Sequence, residues 1–369
     1  MSLFNNIQRY KIQIFVCAIV LWAMYLRIMH VVYNPTFWVD EQWAVNFMER
    51  SGSFLNMLKH LPDAEVGGYL AGDYVILYPF LKIFGPTRWA LAVPHLAVTL
   101  VGFFLLYLIG RRYFQSIWGY AIAFSIMCFN RNLIFHASEV RPYAILPTIA
   151  LLVFYCTALL FDDYERLSAR QKLWLGLAYV ISIWIHVYGV IMVFCTVLYF
   201  VLSHINKPVF KSQFIRIAKF LIIIGVITSP LWCYSIFGIS RIQHAPEDTF
   251  QYIPNPTTNT IGFLKGIFGN LMGDNRLYIL LLGVFFPFVL PYKGRFPQIL
   301  FFVTLVILPL AIILLLALKS QYWFLQRHFV WVMPLFALLV AWCWDSLIVL
   351  LVRHPKLNRY LKFLAVRME

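Results

Sequence analysis

Residues 12–33 read IQIFVCAIVLWAMYLRIMHVVY, and residues 37–43, a few positions later, read FWVDEQW. A helix that crosses a bilayer needs about 20 consecutive apolar residues. Ile12–Tyr33 meets that length, so the chain opens with a span. The adjacent acids Asp40 and Glu41 then emerge at a membrane surface, between Trp38 and Trp43, residues that favour the interface. From there to residue 88 the pattern stays out of the hydrocarbon. Glu41–Leu61 mixes Trp43, Val45, Phe47, Met48, Phe54, Leu55 and Leu58 with polar residues, which predicts short amphipathic helices on the surface. Tyr69–Phe84 is apolar but interrupted by Gly72, Asp73 and Pro79. It reads as a juxtamembrane or re-entrant helix ending at Gly85-Pro86.

The whole composition agrees with that opening. The 369 residues are 62% hydrophobic and only 12% charged, against about 25% charged in soluble domains. The class is therefore an all-α, polytopic membrane protein. The net charge of +15 would suggest nucleic acid in a soluble protein. Here the basic residues serve as topology markers and anionic-lipid contacts, and no basic stretch is regular enough to form a nucleic-acid face. All six cysteines (Cys17, Cys128, Cys156, Cys195, Cys233, Cys343) fall in apolar segments without CxxC spacing, as packing residues do. The first helix has no small-residue cleavage site after its apolar core, so it is expected to stay in place.

Working outward gives nine further spans: Trp89–Ile109, Ile117–Phe135, Pro142–Phe161, Leu173–Val187, Val190–Ser203, Ala218–Phe237, Leu277–Leu290, Ile299–Leu318 and His328–Leu350. Pro142 suits the first position of its span, where a missing N–H costs nothing. Arg27 and His30 are expected to snorkel from the outer end of the first. With the N-terminus inside, the inner segments carry 18 of the 30 Lys and Arg but only four acids. The outer segments carry ten of the 15 acids. That asymmetry predicts ten spans with both termini cytoplasmic. The expected outer loops are 34–88 and 238–276, the second kept irregular by Pro246, Pro254 and Pro256. Residues 1–369 read as one transmembrane domain with no separate soluble domain.

This topology gathers five polar clusters on the outer side: Asp40/Glu41, Asp63/Glu65/Asp73, His136/Glu139/Arg141, His186/Tyr188 and Arg327/His328. Asp40 and Glu41 could bind a cation, take a proton from a hydroxyl, or merely solvate a loop. Arg141, at the expected N-terminus of the fourth span, combines a guanidinium with free N–H groups and the helix dipole, a pattern suited to phosphate. The plain alternative is an arginine that anchors the span at the interface, with Glu139 holding it. Arg327 carries the same two readings. His186 is either a packed histidine or part of the chemistry. The histidines and acids could hold a divalent cation, but no HExxH-like spacing points to a bound metal. Inside the spans charges are scarce; Asp345, beside Trp344, is the main exception. A transporter of a lipid-linked saccharide usually carries midplane charges, so that reading is the weaker one. A non-catalytic partner in envelope glycan assembly is a third.

At these residues the chain resembles the GT-C membrane glycosyltransferases. Asp40-Glu41 after the first span looks like the acidic motif of their first outer loop. Ser138-Glu139-Val140-Arg141-Pro142-Tyr143-Ala144 is close to the S-x-E-x-R-P-Y-A stretch of the bacterial branch related to protein O-mannosyltransferases and lipid A aminoarabinose transferases. Leu81-Lys82-Ile83-Phe84-Gly85 with Arg88 and Pro94, His186-Val187-Tyr188-Gly189, and Arg327-His328-Phe329 with Pro334 resemble three further motifs of that branch, in the same order. The resemblance implies a polyprenyl-phosphate-linked sugar as donor and transfer to a lipid, glycan or protein acceptor on the outer face, expected to be that of a bacterial inner membrane. It implies Asp40 as general base with Glu41 assisting. Arg141, Arg327 and His186 would meet the donor phosphate, supported by Glu139, His136, Asp73, Tyr74, Tyr143, Tyr188 and His328. One departure stands out. Where many relatives read His-Pro-Pro-Leu-Tyr-Tyr, this chain reads Tyr69-Leu70-Ala71-Gly72-Asp73-Tyr74 and keeps only the last tyrosine. Relatives often carry a soluble C-terminal domain, so acceptor binding is expected to use the outer loops here.

Overall fold

The computed structural model describes residues 2–61, 72–241, 260–272, 280–292, 294–320 and 326–353. Among them the regular structure is helical and there is no strand. α1 (Ser2–Tyr33) is followed by the short α2 (Val39–Arg50), α3 (Phe54–His60) and α4 (Asp73–Phe84). Then come α5 (Arg88–Tyr113), α6 (Ile117–Phe129), α7 (Arg131–His136), α8 (Leu146–Asp162), α9 (Ala169–Ile185), α10 (Tyr188–His204) and α11 (Pro208–Arg241). The last elements are α12 (Thr260–Met272), α13 (Leu282–Val289), α14 (Arg295–Phe302), α15 (Leu308–Ser320) and α16 (Val332–Arg353). A π-helical turn, Val303–Ile307, joins α14 to α15 without a break.

Five segments are long and apolar enough to cross a bilayer: Ile12–Tyr33, Arg88–Tyr113, Phe210–Tyr234, Arg295–Leu316 and Val332–Arg353. Three more apolar helices, α6, α8 and α10, are shorter. At 1.5 Å per residue, the 17 residues of α8 reach about 26 Å, less than a ~30 Å hydrocarbon core. The length of the described helices thus supports five spans, half the number read from hydropathy. Large apolar side chains such as Leu21, Trp22, Ile222, Val226 and Leu315 lie exposed on these helices, as a lipid-facing surface requires. The chain is an integral membrane protein.

α8 and α16 form the interior. α8 packs against α5 and α10, and α16 packs against α6 and α8. Trp331, just before α16, is fully buried, and Phe154 of α8 is enclosed by Tyr113 of α5, Tyr199 and Phe200 of α10 and Phe301 of α14. A second, smaller core joins α2, α3 and α4 through Val45, Met48, Met57, Tyr74, Leu77 and Leu81. The segment between the first two spans is therefore a packed layer of short amphipathic helices, as its sequence pattern predicts.

Several boundaries differ from the hydropathy reading, each for a local reason. The third apolar run breaks at Asn130, whose side-chain oxygen accepts hydrogen bonds from the backbone of Asn132 and Leu133 and so starts α7. Pro142 opens a 3-10 turn (Pro142–Ala144), and α8 begins at Leu146; Arg141 thus precedes the turn and is not at the helix N-terminus. α11 starts at Pro208, ten residues before the expected Ala218, so Lys211, Arg216 and Lys219 all lie on one helix. α13 has only eight residues and contains Pro287, too short for the expected eighth span. Residues 260–272 of the second long loop form α12, which packs against the turn at 326–329; Pro246, Pro254 and Pro256 lie outside the described residues. Arg27 does not snorkel. It is buried and donates to the carbonyls of Ala23 and Met127, pinning α1 to α6. Asp345 is buried too, and accepts hydrogen bonds from the backbone of Gln115 and Ser116, which fixes the start of α6.

Polar residues collect at two opposite ends of the helices. α5 runs about 39 Å from Arg88 at one end to Arg112 at the other. Arg112 meets Asp162 and Asp163, and His204 joins Asp162. The Arg88 end holds the candidate site.

Candidate active site

Glu41 is the anchor of this end. It sits in the first turn of α2, with no solvent exposure. Its carboxylate accepts from the backbone N–H of Trp38 (3.1 Å), from the backbone N–H of Val140 (2.8 Å) and from the Arg88 guanidinium. Arg88 also donates to the Thr36 carbonyl at 3.1 Å. Burial raises the Glu41 pKa against the opposing pull of the Val140 hydrogen bond and the Arg88 charge. One buried carboxylate thus ties the segment after α1 to the head of α5 and to the 138–141 stretch.

That tie sets Asp40, one residue earlier, facing outward. Its side chain is 33% exposed and accepts from Arg327 Nη2 at 2.7 Å. The two residues are 287 positions apart in the chain. The Arg327 guanidinium lies 5.0 Å from the Trp38 ring and 5.3 Å from the Tyr143 ring, within cation–π range of both. Burial acts against its charge, but Tyr143, Asp40 and Glu139 outweigh that and raise its pKa.

Behind Arg327 stands a ring cluster. Tyr143 stacks on His328 with centroids 5.6 Å apart, and His186 stacks on Tyr188 at 4.4 Å. Tyr188 also touches His328, and His136 meets Tyr143 edge-on. His136 pairs with Glu139, which is buried. His186 and His328 lie between helices, outside the spanning segments. Burial, then the Arg141 charge, pushes His186 down to about 3. Burial, then Arg327, His186, Arg141 and His136, holds His328 well below the usual histidine range. Both rings are therefore neutral near pH 7, and the positive charge comes from Arg141 and Arg327, which both act on His328. Arg141 is itself buried, at the head of the 3-10 turn.

The remaining expected residues sit around this group. Asp73 is buried at the first turn of α4, where the Gly72 N–H donates to the Ile185 carbonyl and so docks α4 beside His186. Tyr74 packs on Phe47 inside the core of the short-helix layer. Asp63 and Glu65 lie outside the described residues. Three residues absent from the sequence-based site belong to it structurally. Trp38 lies against Arg327, Arg88 pairs with Glu41, and buried His95 of α5 lies against the Glu139 backbone. Arg88 was visible as part of a motif, but its partner is not readable from spacing.

A surface that joins a half-exposed carboxylate to two guanidinium groups and neutral imidazoles can take a proton and neutralise an anion at once. Comparison with protein-family models matches residues 73–234 to the dolichyl-phosphate-mannose-protein mannosyltransferases. The match supports a GT-C-like membrane glycosyltransferase. It covers less than half of the chain, and it contains Arg88, His136, Glu139, Arg141, Tyr143, His186 and Tyr188 but not Asp40, Glu41, Arg327 or His328. Neither the curated proteins nor the solved structures gave a match. The family match therefore agrees with the glycosyltransferase reading of three of the sequence motifs, those at 81–94, 138–144 and 186–189, which lie within it; the motifs at 40–41 and 327–329 lie outside it.

Proposed function

We propose that the chain transfers a sugar from a polyprenyl-phosphate-linked donor to a lipid, glycan or protein acceptor on the outer face of a bacterial inner membrane, with both termini cytoplasmic. The observation that carries this is the Asp40–Arg327 pair beside Arg141 and the neutral histidines. Transfer from a lipid phosphate makes two demands. The acceptor hydroxyl must lose a proton as its oxygen bonds to the anomeric carbon. The phosphate must leave with a growing negative charge. Asp40 is assigned the first task, because it is the reachable carboxylate of the acid pair. Arg141 and Arg327 are assigned the second, with His186 and His328 as uncharged hydrogen-bonding groups. Glu41 positions Asp40 and Val140 and stays out of the reaction. Arg327 would serve both sides, since a phosphate it binds shares its guanidinium with Asp40.

The printed description of the family, with its dolichyl phosphate mannose, supports a lipid-linked donor here. The outer-face assignment is supported by the basic bias of the opposite end, where Arg112 meets Asp162 and Asp163, Arg216 meets Glu165, and Arg166, Arg170 and Lys172 follow in sequence. The test is direct. Full-length protein in detergent, given a panel of polyprenyl-phosphate sugars and envelope-glycan acceptors, should release polyprenyl phosphate without any sealed compartment. Movement of the intact donor across a vesicle with no bond broken would replace this proposal with a transporter.

A further inference from the structure

We propose that the outer face of α2, together with α3, is a carbohydrate-binding groove that seats the acceptor next to Asp40. This inference rests on the glycosyltransferase reading above and names the acceptor class: a saccharide, neutral or anionic. α2 has two faces. Glu41, Ala44, Val45 and Met48 point into the core. Trp43, Asn46 and Arg50 fall on the other side and are exposed, while Asp40 and Phe47 sit half-buried at the edge between the two faces. Trp43, Asn46, Phe47 and Arg50 line a groove of about 610 Å³ whose far wall is Asn56 and His60 of α3. Its volume is within the range of small-molecule sites, roughly 300–1,000 Å³.

The lining chemistry favours a sugar. The Trp43 indole is 68% exposed, although a buried face was available on the same helix. Such a flat ring can cover the C–H face of a pyranose, while amides, an imidazole and a guanidinium reach its hydroxyls. The wall is mixed, apolar through Trp43 and Phe47 and polar through Asn46, Arg50, Ser51, Asn56 and His60, as an amphipathic sugar ring requires. Among the described residues no carboxylate lines it, so a cationic acceptor is disfavoured. Along the helix axis the groove extends from Trp43 to Arg50 over about 10 Å, and Asp40 lies one helical turn before Trp43. A saccharide that extends one turn beyond the groove, past Trp43, would bring its end toward Asp40.

The experiment is saturation-transfer NMR on the full-length protein in micelles, with the methyl glycosides of glucose, mannose, galactose, N-acetylglucosamine and glucuronic acid as probes. At least one should receive saturation. Trp43→Ala should weaken that binding about tenfold, the loss of one good ring contact, and Trp43→Phe should restore most of it. If Trp43→Ala does not fold, Asn46→Ala, an exposed position, gives the same readout. Asp40→Asn should leave saccharide binding intact. The proposal is overturned if no glycoside binds, if binding is unchanged in both groove variants, or if a serine- and threonine-rich peptide binds there and no saccharide does. These outcomes are separable from the proposed reaction. An unchanged groove with Asp40→Asn inactive removes the groove alone, whereas groove binding with Asp40→Asn fully active removes only the assigned base.

Discussion

At the scale of single residues, the account assigns different work to two adjacent acids. Asp40 is partly exposed and is the proposed base; Glu41 is enclosed and ties three segments together. Glu41→Gln would leave the buried Arg88 without its counter-charge, a loss of about 3–5 kcal/mol. A marked fall in thermal midpoint is expected, partly recovered when Arg88→Met is added. An unchanged midpoint would mean that the carboxylate does not anchor this end. The buried histidines predict a pH effect of definite sign. His186 resists protonation down to about 3 in the folded protein, whereas an unfolded histidine titrates near ~6.5. Above ~6.5 neither state binds the proton. Below it the unfolded chain does and the folded chain does not, so stability falls as pH drops. At pH 5 one such histidine costs about 2 kcal/mol. The fall in thermal midpoint between pH 7 and pH 5 should be smaller in His186→Asn. Much of this residue set was legible in the sequence, because charged side chains at the ends of apolar runs stand out. The pairing of Glu41 with Arg88, 47 residues away, was not, since only the packed chain brings the two together.

At the scale of elements, close helix contacts position the site. Gly189 opens α10 directly after the His186 turn, and a Cβ there would sit 2.0 Å from the Ser182 carbonyl oxygen of α9. Gly189→Ala must force the two helices apart and move His186 and Tyr188 with them. Overpacking of this kind costs about 1–3 kcal/mol, so both thermal midpoint and turnover should drop. Gly225→Ala, with nothing within 4 Å of its added methyl, is the control, and its midpoint should hold or rise slightly. Equal effects in the two variants would rule out the close-contact explanation. Hydropathy showed that these segments are apolar and helical. It could not show the break at Asn130 or the late start of α8. The average over each run stays apolar even across Asn130-Arg131-Asn132, and the interruption comes from a side-chain cap and a proline turn. The same limit explains the span count, because apolar character does not report whether a helix is 13 or 26 residues long.

At the scale of the whole molecule, two polar ends lie across the helical body, and their separation predicts sidedness. Reporters fused after Arg112, Lys172 and Lys211 should report the cytoplasm. A cysteine introduced at Gly52, in the exposed turn between α2 and α3, should react with an impermeant reagent from outside. The reverse pattern would move the site to the inner face. The larger claim is that segments from the first outer loop, the 136–143 stretch, the α9–α10 turn and the 326–329 turn converge to transfer a sugar from a lipid phosphate. The family match reaches the middle two of these and only the last part of the first loop, from residue 73 on. The most direct measurement therefore uses a residue outside it: the rate of polyprenyl phosphate release by purified Asp40→Asn protein, with donor binding measured in parallel. Removal of a general base should lower turnover by about 10²–10⁴-fold while the donor still binds. Turnover close to that of the unsubstituted protein, in a correctly inserted variant, would contradict the account.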